Sequence, residues 1–174
     1  MQQTIDPSLL PQMRVAEERY PIVLQALKEY EQRVDAVGDD ALDAYRALQT
    51  RLEMLTEKDL GSYNLWEWWE AEGIEVLAFR IALPDPPSLA RRLQDDELAE
   101  IVRCLHVFVP ADAADEFAQQ FSMYLDDWHH RLLKLNAACY QYAWFKRQKN
   151  AQGQWFEHSE AALVERLSGA CKER

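Results

Sequence analysis

The chain has 174 residues, 48% of them hydrophobic and 28% charged, which is enough for a buried core and excludes a disordered or fibrous polypeptide. Five Gly and seven Pro leave few turns, so the elements are long and an all-α fold is predicted. A net charge of −11 opposes non-specific nucleic-acid binding and favours attraction to basic partners.

The first residues lack the basic start and apolar stretch of a secretory signal. Asp6-Pro7-Ser8 places a capping residue before a proline suited to a first helical turn, and Pro11 keeps that turn short. Pro21 is expected to start the first long helix, because Val23, Leu27, Tyr30 and Val34 form one apolar stripe and Gly38 can end it. Asp39 and Asp40 can cap a second helix, in which Leu42, Tyr45, Leu48, Leu52 and Leu55 repeat the rhythm. An antiparallel helical hairpin follows.

Gly61 to Asn64 reads as a loop, with Asn64 as an N-cap for a helix over 65–83. Gly73 interrupts that segment, and residues 74–83 are apolar enough for a short buried strand. The helix is preferred because a lone strand lacks a nearby partner. Pro84, Pro86 and Pro87 end it and make 84–88 the clearest hinge. Asp95-Asp96-Glu97 then opens a helix with Leu98, Val102 and Leu105 on one face, closed by Pro110.

From Asp112 onward Phe117, Phe121, Tyr124, Trp128, Leu132, Leu135, Cys139 and Tyr142 recur mostly at steps of four and three. The spacing predicts one helix over about 113–149, roughly 50 Å long at 1.5 Å per residue. Ser159 caps a last helix with Leu163 and Leu167 inward. The alternative for 143–158 is a hairpin across the Asn150-Ala151-Gln152-Gly153 turn. The expected architecture is therefore a single helical domain, residues 1–174, of five to seven helices around one long helix, with a minor β element near 74–83 or 154–158.

The longest uncharged stretch, Leu135 to Phe145, falls far short of the roughly 20 apolar residues that a membrane-spanning helix needs. Cys104, Cys139 and Cys171 match neither a disulfide framework nor a zinc motif, so reduced, buried thiols and a cytoplasmic protein are expected. Cys139, on the apolar seam, reads as packing rather than as a nucleophile.

Charge is uneven. Residues 1–116 hold 11 Lys or Arg against 24 Asp or Glu, whereas residues 117–174 hold 8 against 6. Phosphate-binding Gly-rich loops, a G-x-S-x-G elbow and an H-E-x-x-H helix are all missing, and no cofactor is implied. Trp66, Trp68 and Trp69 stand among Glu67, Glu70 and Glu72. Consecutive helical residues point around the axis, so the indoles cannot all share one face. A wide core contact is the plain reading. The functional one is an aromatic anchor, Trp66 and Trp69, ringed by carboxylates to receive a basic partner.

Asp126, Asp127, His129 and His130 have the spacing of metal ligands on one helical turn. A di-iron bundle needs a second such helix, and solvated positions flanking Trp128 are the plainer account. Trp144, Lys146, Arg147 and Lys149 interleave rings with cations in a manner that could hold nucleic acid. The overall charge argues against it, and compensation of a helix dipole explains the cations without a ligand. The leading expectation is a non-catalytic protein-binding protein: an inhibitor, an immunity or antitoxin-like protein, or an accessory subunit. A helical enzyme or small-molecule or metal sensor using Asp126–His130 is the first alternative. A DNA mimic displaying Asp39, Asp40, Asp95, Asp96 and Glu97 is the second.

Overall fold

The computed structural model describes residues 6–66, 73–106 and 115–169. Among them run seven α-helices: α1 (Met13–Val37), α2 (Asp43–Thr56), α3 (Ile74–Ala82), α4 (Asp95–His106), α5 (Glu116–Phe121), α6 (Asp126–Asn136) and α7 (Glu160–Ser168). A single two-stranded sheet among these residues, β1 (Gln148–Lys149) with β2 (Trp155–Phe156), supplies the minor β element of a mostly helical protein. No helix among the described residues is long and apolar enough to cross a membrane.

The chain divides into two units: residues 11–85 with 116–121, here the N-terminal unit, and residues 1–10, 86–115 and 122–174, the C-terminal unit. The first long passage between them falls at Asp85–Pro86, within the proline-rich stretch 84–88.

In the N-terminal unit α1 begins eight residues earlier than Pro21 predicts, and Pro21 lies inside it. Lacking an amide, Pro21 cannot donate to the Glu17 carbonyl, a cost of about 3 kcal/mol in a helix interior. Extension of the apolar stripe back through Tyr20 to Ala16, which is buried, offsets it. Gly38 ends the helix as expected, at φ 69° with its amide on the Val34 carbonyl, a conformation favourable to glycine. The core joins Val23, Leu27 and Tyr30 of α1 to Leu48 and Leu52 of α2 and to Ala78 and Ile81 of α3. The helix expected over 65–83 with Asn64 as its cap starts only at Ile74: Leu65 and Trp66 form a bend, residues 67–72 lie outside the described residues, and 74–82 are helical, as preferred over a strand. Phe79 of α3 stacks on Phe121 of α5 with ring centroids 4.5 Å apart and planes 6° from parallel.

One lysine closes α3. Lys58, its side chain 4% exposed, donates to the carbonyls of Arg80 (2.7 Å) and Leu83 (2.9 Å) and pairs with Asp85 at 3.1 Å. A cation on the last carbonyls is what the helix dipole favours at a C-terminus.

In the C-terminal unit α4 packs on α6 and α7, burying Leu98, Ile101, Val102, Leu132, Leu133, Leu163 and Leu167. Glu97 accepts two hydrogen bonds from Arg91 and one from the Gln94 amide, which fixes the start of α4. Asn136, buried at the end of α6, donates to the carbonyls of Pro87 (2.8 Å) and Leu132 (2.9 Å) and accepts from the Leu89 amide (2.7 Å). Ser159 caps α7 through the Ala162 amide.

The single helix expected over 113–149 does not form. Residues 113 and 114 lie outside the described residues. After α5 come a 3-10 turn, Ser122–Tyr124, and then α6, which ends at Asn136 with Ala137 already extended. The rhythm of fours and threes survives the break because each half is amphipathic toward its own core. Phe117 and Phe121 join Tyr20 and Phe79 in the N-terminal unit, while Trp128 and Leu132 are buried in the C-terminal unit. Leu135, expected inward beside Leu132, is 51% exposed, and Leu133 is buried instead.

Residues 143–158 take the hairpin form. Gln148 pairs with Phe156 and Lys149 with Trp155, and the Asn150 side chain accepts from the amides of Gln152 and Gln154 to shape the turn. Cys139 therefore sits in a bend, not on a helical seam, with its Sγ 3.6 Å from the Gly169 carbonyl oxygen. It is disulfide-bonded, which corrects the expected reduced state. Cys104 is a free, half-buried thiol, and Cys171 lies outside the described residues.

Candidate partner-binding site

The turn between α1 and α2 builds a cavity of about 430 Å³ in the N-terminal unit. Three rings and two carboxylates define it: Tyr30 from α1, Tyr45 from α2, Trp66 from the following loop, and Asp39 and Asp40 from the turn. Tyr30 stands at the centre, edge-on to Tyr45 at 5.9 Å and to Trp66 at 5.8 Å. Such edge-to-face contacts are favourable in themselves.

The two tyrosine rings are held by their hydroxyls and Trp66 by its backbone amide. Asp39 accepts from the Ala44 amide (3.1 Å), the Tyr45 amide (2.9 Å) and the Tyr30 hydroxyl (3.3 Å). The expected cap of α2 is thus made by Asp39 from outside the helix, while Leu42 occupies the capping position in a left-handed conformation, φ 57°. That conformation costs a non-glycine residue about 1–2 kcal/mol, and such strain concentrates where function fixes the backbone. Leu42 is 50% exposed at the rim. The Tyr45 hydroxyl donates to the Tyr63 carbonyl and accepts from the Leu65 amide, and Asn64 accepts from the Trp66 amide. Those bonds bring Trp66 to the cavity.

Burial alone would raise the Asp39 carboxyl, but the Tyr45 and Ala44 amides, the Tyr30 hydroxyl and nearby Arg33 outweigh it and hold the group below the usual carboxylate value. Burial first, and then the Asp39 charge, push the Tyr30 phenol up to about 12. Among the described residues that line the cavity Asp39 and Asp40 are the charged ones, and none is cationic. Aromatic faces beside carboxylates attract a guanidinium or ammonium group. Among the described residues no nucleophile paired with a base lines it.

Of the residues expected to bind a partner, Trp66 lines this cavity, and Glu67, Trp69, Glu70 and Glu72 lie outside the described residues. Tyr30, Asp39, Asp40 and Tyr45 were legible only as stripe and cap positions. The available signal was a tyrosine in each of two otherwise aliphatic stripes, since a buried phenol needs a polar partner.

The other candidates lie in the C-terminal unit. Asp126 and Asp127 are exposed in the first turn of α6. His129 is buried with Nδ1 2.8 Å from the Leu125 carbonyl, and His130 Nδ1 is 3.1 Å from the Tyr140 hydroxyl. No group of three or more His, Cys, Asp or Glu that could hold a metal occurs among the described residues.

The cations near the hairpin do not compensate a helix end, as expected, because no long helix ends there. They lie over rings instead. Lys146 is 4.5 Å from the Tyr142 centroid, Arg147 and Lys149 are 5.5 and 4.8 Å from Trp155, and Arg166 is 5.4 Å from Trp144. Of the carboxylates considered for DNA mimicry, Asp39 is engaged by a cap and Glu97 by Arg91, and the two groups belong to different units. No protein-family model, no curated protein and no solved structure matches the chain.

Proposed function

We propose that the protein binds a basic protein partner without catalysing a reaction, as an inhibitor, an immunity or antitoxin-like protein, or an accessory subunit. The observation that carries this reading is the cavity in which Tyr30, Tyr45 and Trp66 surround space flanked by Asp39 and Asp40. A lysine or arginine side chain of the partner enters it, its charge facing the carboxylates and its alkyl stem lying on the rings. Leu42, exposed, lines the cavity and adds an apolar edge to it, in the pattern of an anchor pocket with a mixed rim. The acidic composition of residues 1–116 steers a basic partner toward the same unit.

The test is capture from the native host with three immobilised proteins: wild type, Asp40→Lys and Trp66→Ala. A basic protein retained by wild type, released by salt and lost from both variants is the expected result. Loss of a central aromatic anchor should weaken binding by about 2 kcal/mol or more, some thirtyfold. Retention of the same proteins by all three, or of none by wild type at low salt, refutes the reading.

A further inference from the structure

The C-terminal unit holds a second cavity, of about 230 Å³, whose chemistry differs from that of an interface. α4 brings His106 to it, α6 brings Asp126 and His130, and the chain after β2 brings Glu157 and His158. Tyr142, Trp144 and Phe145, from the 3-10 turn Tyr142–Phe145, supply aromatic wall, and Lys146 follows them. Residues that look unrelated in the sequence, Asp126 and His130 from the metal-like cluster and Trp144 and Lys146 from the cationic cluster among them, meet here.

The imidazoles are held by neighbours. His130 stands edge-on to Tyr142 at 4.8 Å and to Phe145 at 4.9 Å, with Nδ1 on the Tyr140 hydroxyl. His158 lies against Phe156 at 5.1 Å. His106 Nδ1 is 3.2 Å from the Val102 carbonyl. That oxygen can only accept, so Nδ1 carries a proton. Burial pushes the His130 and His158 imidazoles below their usual value, so both are neutral at pH 7. Among the described lining residues the fixed charges are then the Asp126 and Glu157 carboxylates against the Lys146 ammonium, which already lies over the Tyr142 ring. Just outside the lining Asp127 acts on His130 and the Arg166 guanidinium, 5.4 Å from the Trp144 ring, acts on His158, so the balance stays negative. A cavity with a net negative charge, acceptor atoms and aromatic walls complements a positive group on an apolar body.

Volume limits the size of that body. Some 230 Å³ is about eight water volumes at about 30 Å³ each. It lies below the roughly 300–1,000 Å³ of sites for drug-sized ligands, so a peptide segment or a nucleotide is too large to be enclosed.

We propose that this cavity binds a small ammonium-bearing organic molecule, its charge between Asp126 and Glu157 and its body against Tyr142 and Phe145. The site is independent of the partner-binding cavity, which belongs to the other unit.

Titration with phenethylammonium chloride, followed through the histidine ring ¹H–¹⁵N signals of the full chain, tests it. Saturable shifts at His106, His130 and His158 with a dissociation constant on the order of 1 mM or tighter are expected, with the uncharged analogue 2-phenylethanol about tenfold weaker. The double variant Asp126→Asn/Glu157→Gln should remove that preference, while Asp40→Asn, in the other cavity, should leave it intact. A free amine and an amino acid present the same ammonium group. Phenylalanine binding that weakens in Lys146→Gln, with phenethylammonium unaffected, identifies the amino-acid source, and phenethylammonium binding alone identifies the amine. Equal binding of the charged and uncharged probes, a preference that survives in the double variant, or no shift at these rings at about 10 mM of either cation, overturns the proposal.

Discussion

Lys58 makes three polar contacts from one buried side chain at the end of α3. Lys58→Met keeps the length and apolar stem and deletes the ammonium, so its effect isolates the polar interactions. The Arg80 and Leu83 carbonyls, at 2.7 and 2.9 Å, lose their donor at the buried end of α3. An unmet buried acceptor costs about 1–3 kcal/mol. Asp85 keeps 39% of its side-chain surface exposed, so water recovers most of its solvation and it adds little. The expected cost is about 2–5 kcal/mol, close to that of removing one partner from a buried pair and a large part of the 5–15 kcal/mol typical of a domain. Asp85→Asn should cost about 1 kcal/mol or less, because the lysine keeps both carbonyls. Urea unfolding followed by far-ultraviolet circular dichroism measures both variants. A Lys58→Met cost below about 1 kcal/mol, or a cost matched by Asp85→Asn, would show that Lys58 serves the ion pair alone and that the carbonyl contacts carry no weight.

Trp128, 6% exposed, should cost about 3–5 kcal/mol when replaced by alanine, whereas Arg147→Ala, which removes one cation from an exposed ring, should cost about 1 kcal/mol or less in the same urea assay. Leu42→Gly should raise the thermal midpoint by relieving the left-handed backbone, a gain of about 1 kcal/mol, and a lowered midpoint would mean that the leucine side chain contributes more than the strain. His129 carries a pH dependence. Burial, only partly opposed by the Leu125 carbonyl, lowers its pKa below 6.5, so below 6.5 the unfolded chain binds a proton that the native ring refuses. Its contribution is full above about pH 6.5 and is lost as pH falls through the lowered native value. Unfolding midpoints of wild type should therefore drop between pH 7 and pH 5 more than those of His129→Gln, and parallel profiles would remove His129 as the cause.

Local chemistry was readable wherever one residue decided a boundary. Gly38, Asp39, Ser159 and the turn at Asn150–Gly153 all act as their side chains and backbone freedom dictate, and the stripes of α1, α2 and α7 face inward except at Leu42, which precedes α2 and is exposed. The failures share a cause, which is that periodicity records amphipathicity and not which core receives it. Pro21 is tolerated inside α1 because Tyr20 and Ala16 continue the stripe behind it. The run from Phe117 to Tyr142 reads as one seam, although Phe121 and Trp128 serve different cores. In the partner-binding cavity Trp66 stood out by composition. Tyr30 and Tyr45 looked like packing because their hydroxyl partners, Asp39 and the Tyr63 carbonyl, are brought to them only by the fold.

The stacking of Phe121 on Phe79 also sets an order of events at the ribosome. Residues 11–85 emerge first, yet their unit is completed by 116–121, so the ring that covers Phe79 arrives only after α4 has been synthesised. Until then the nascent chain presents an uncovered aromatic surface, a target for chaperones and a site of misassociation. Cleavage between Asp85 and Pro86 would not release a self-sufficient half, and fusion or truncation there should give insoluble protein.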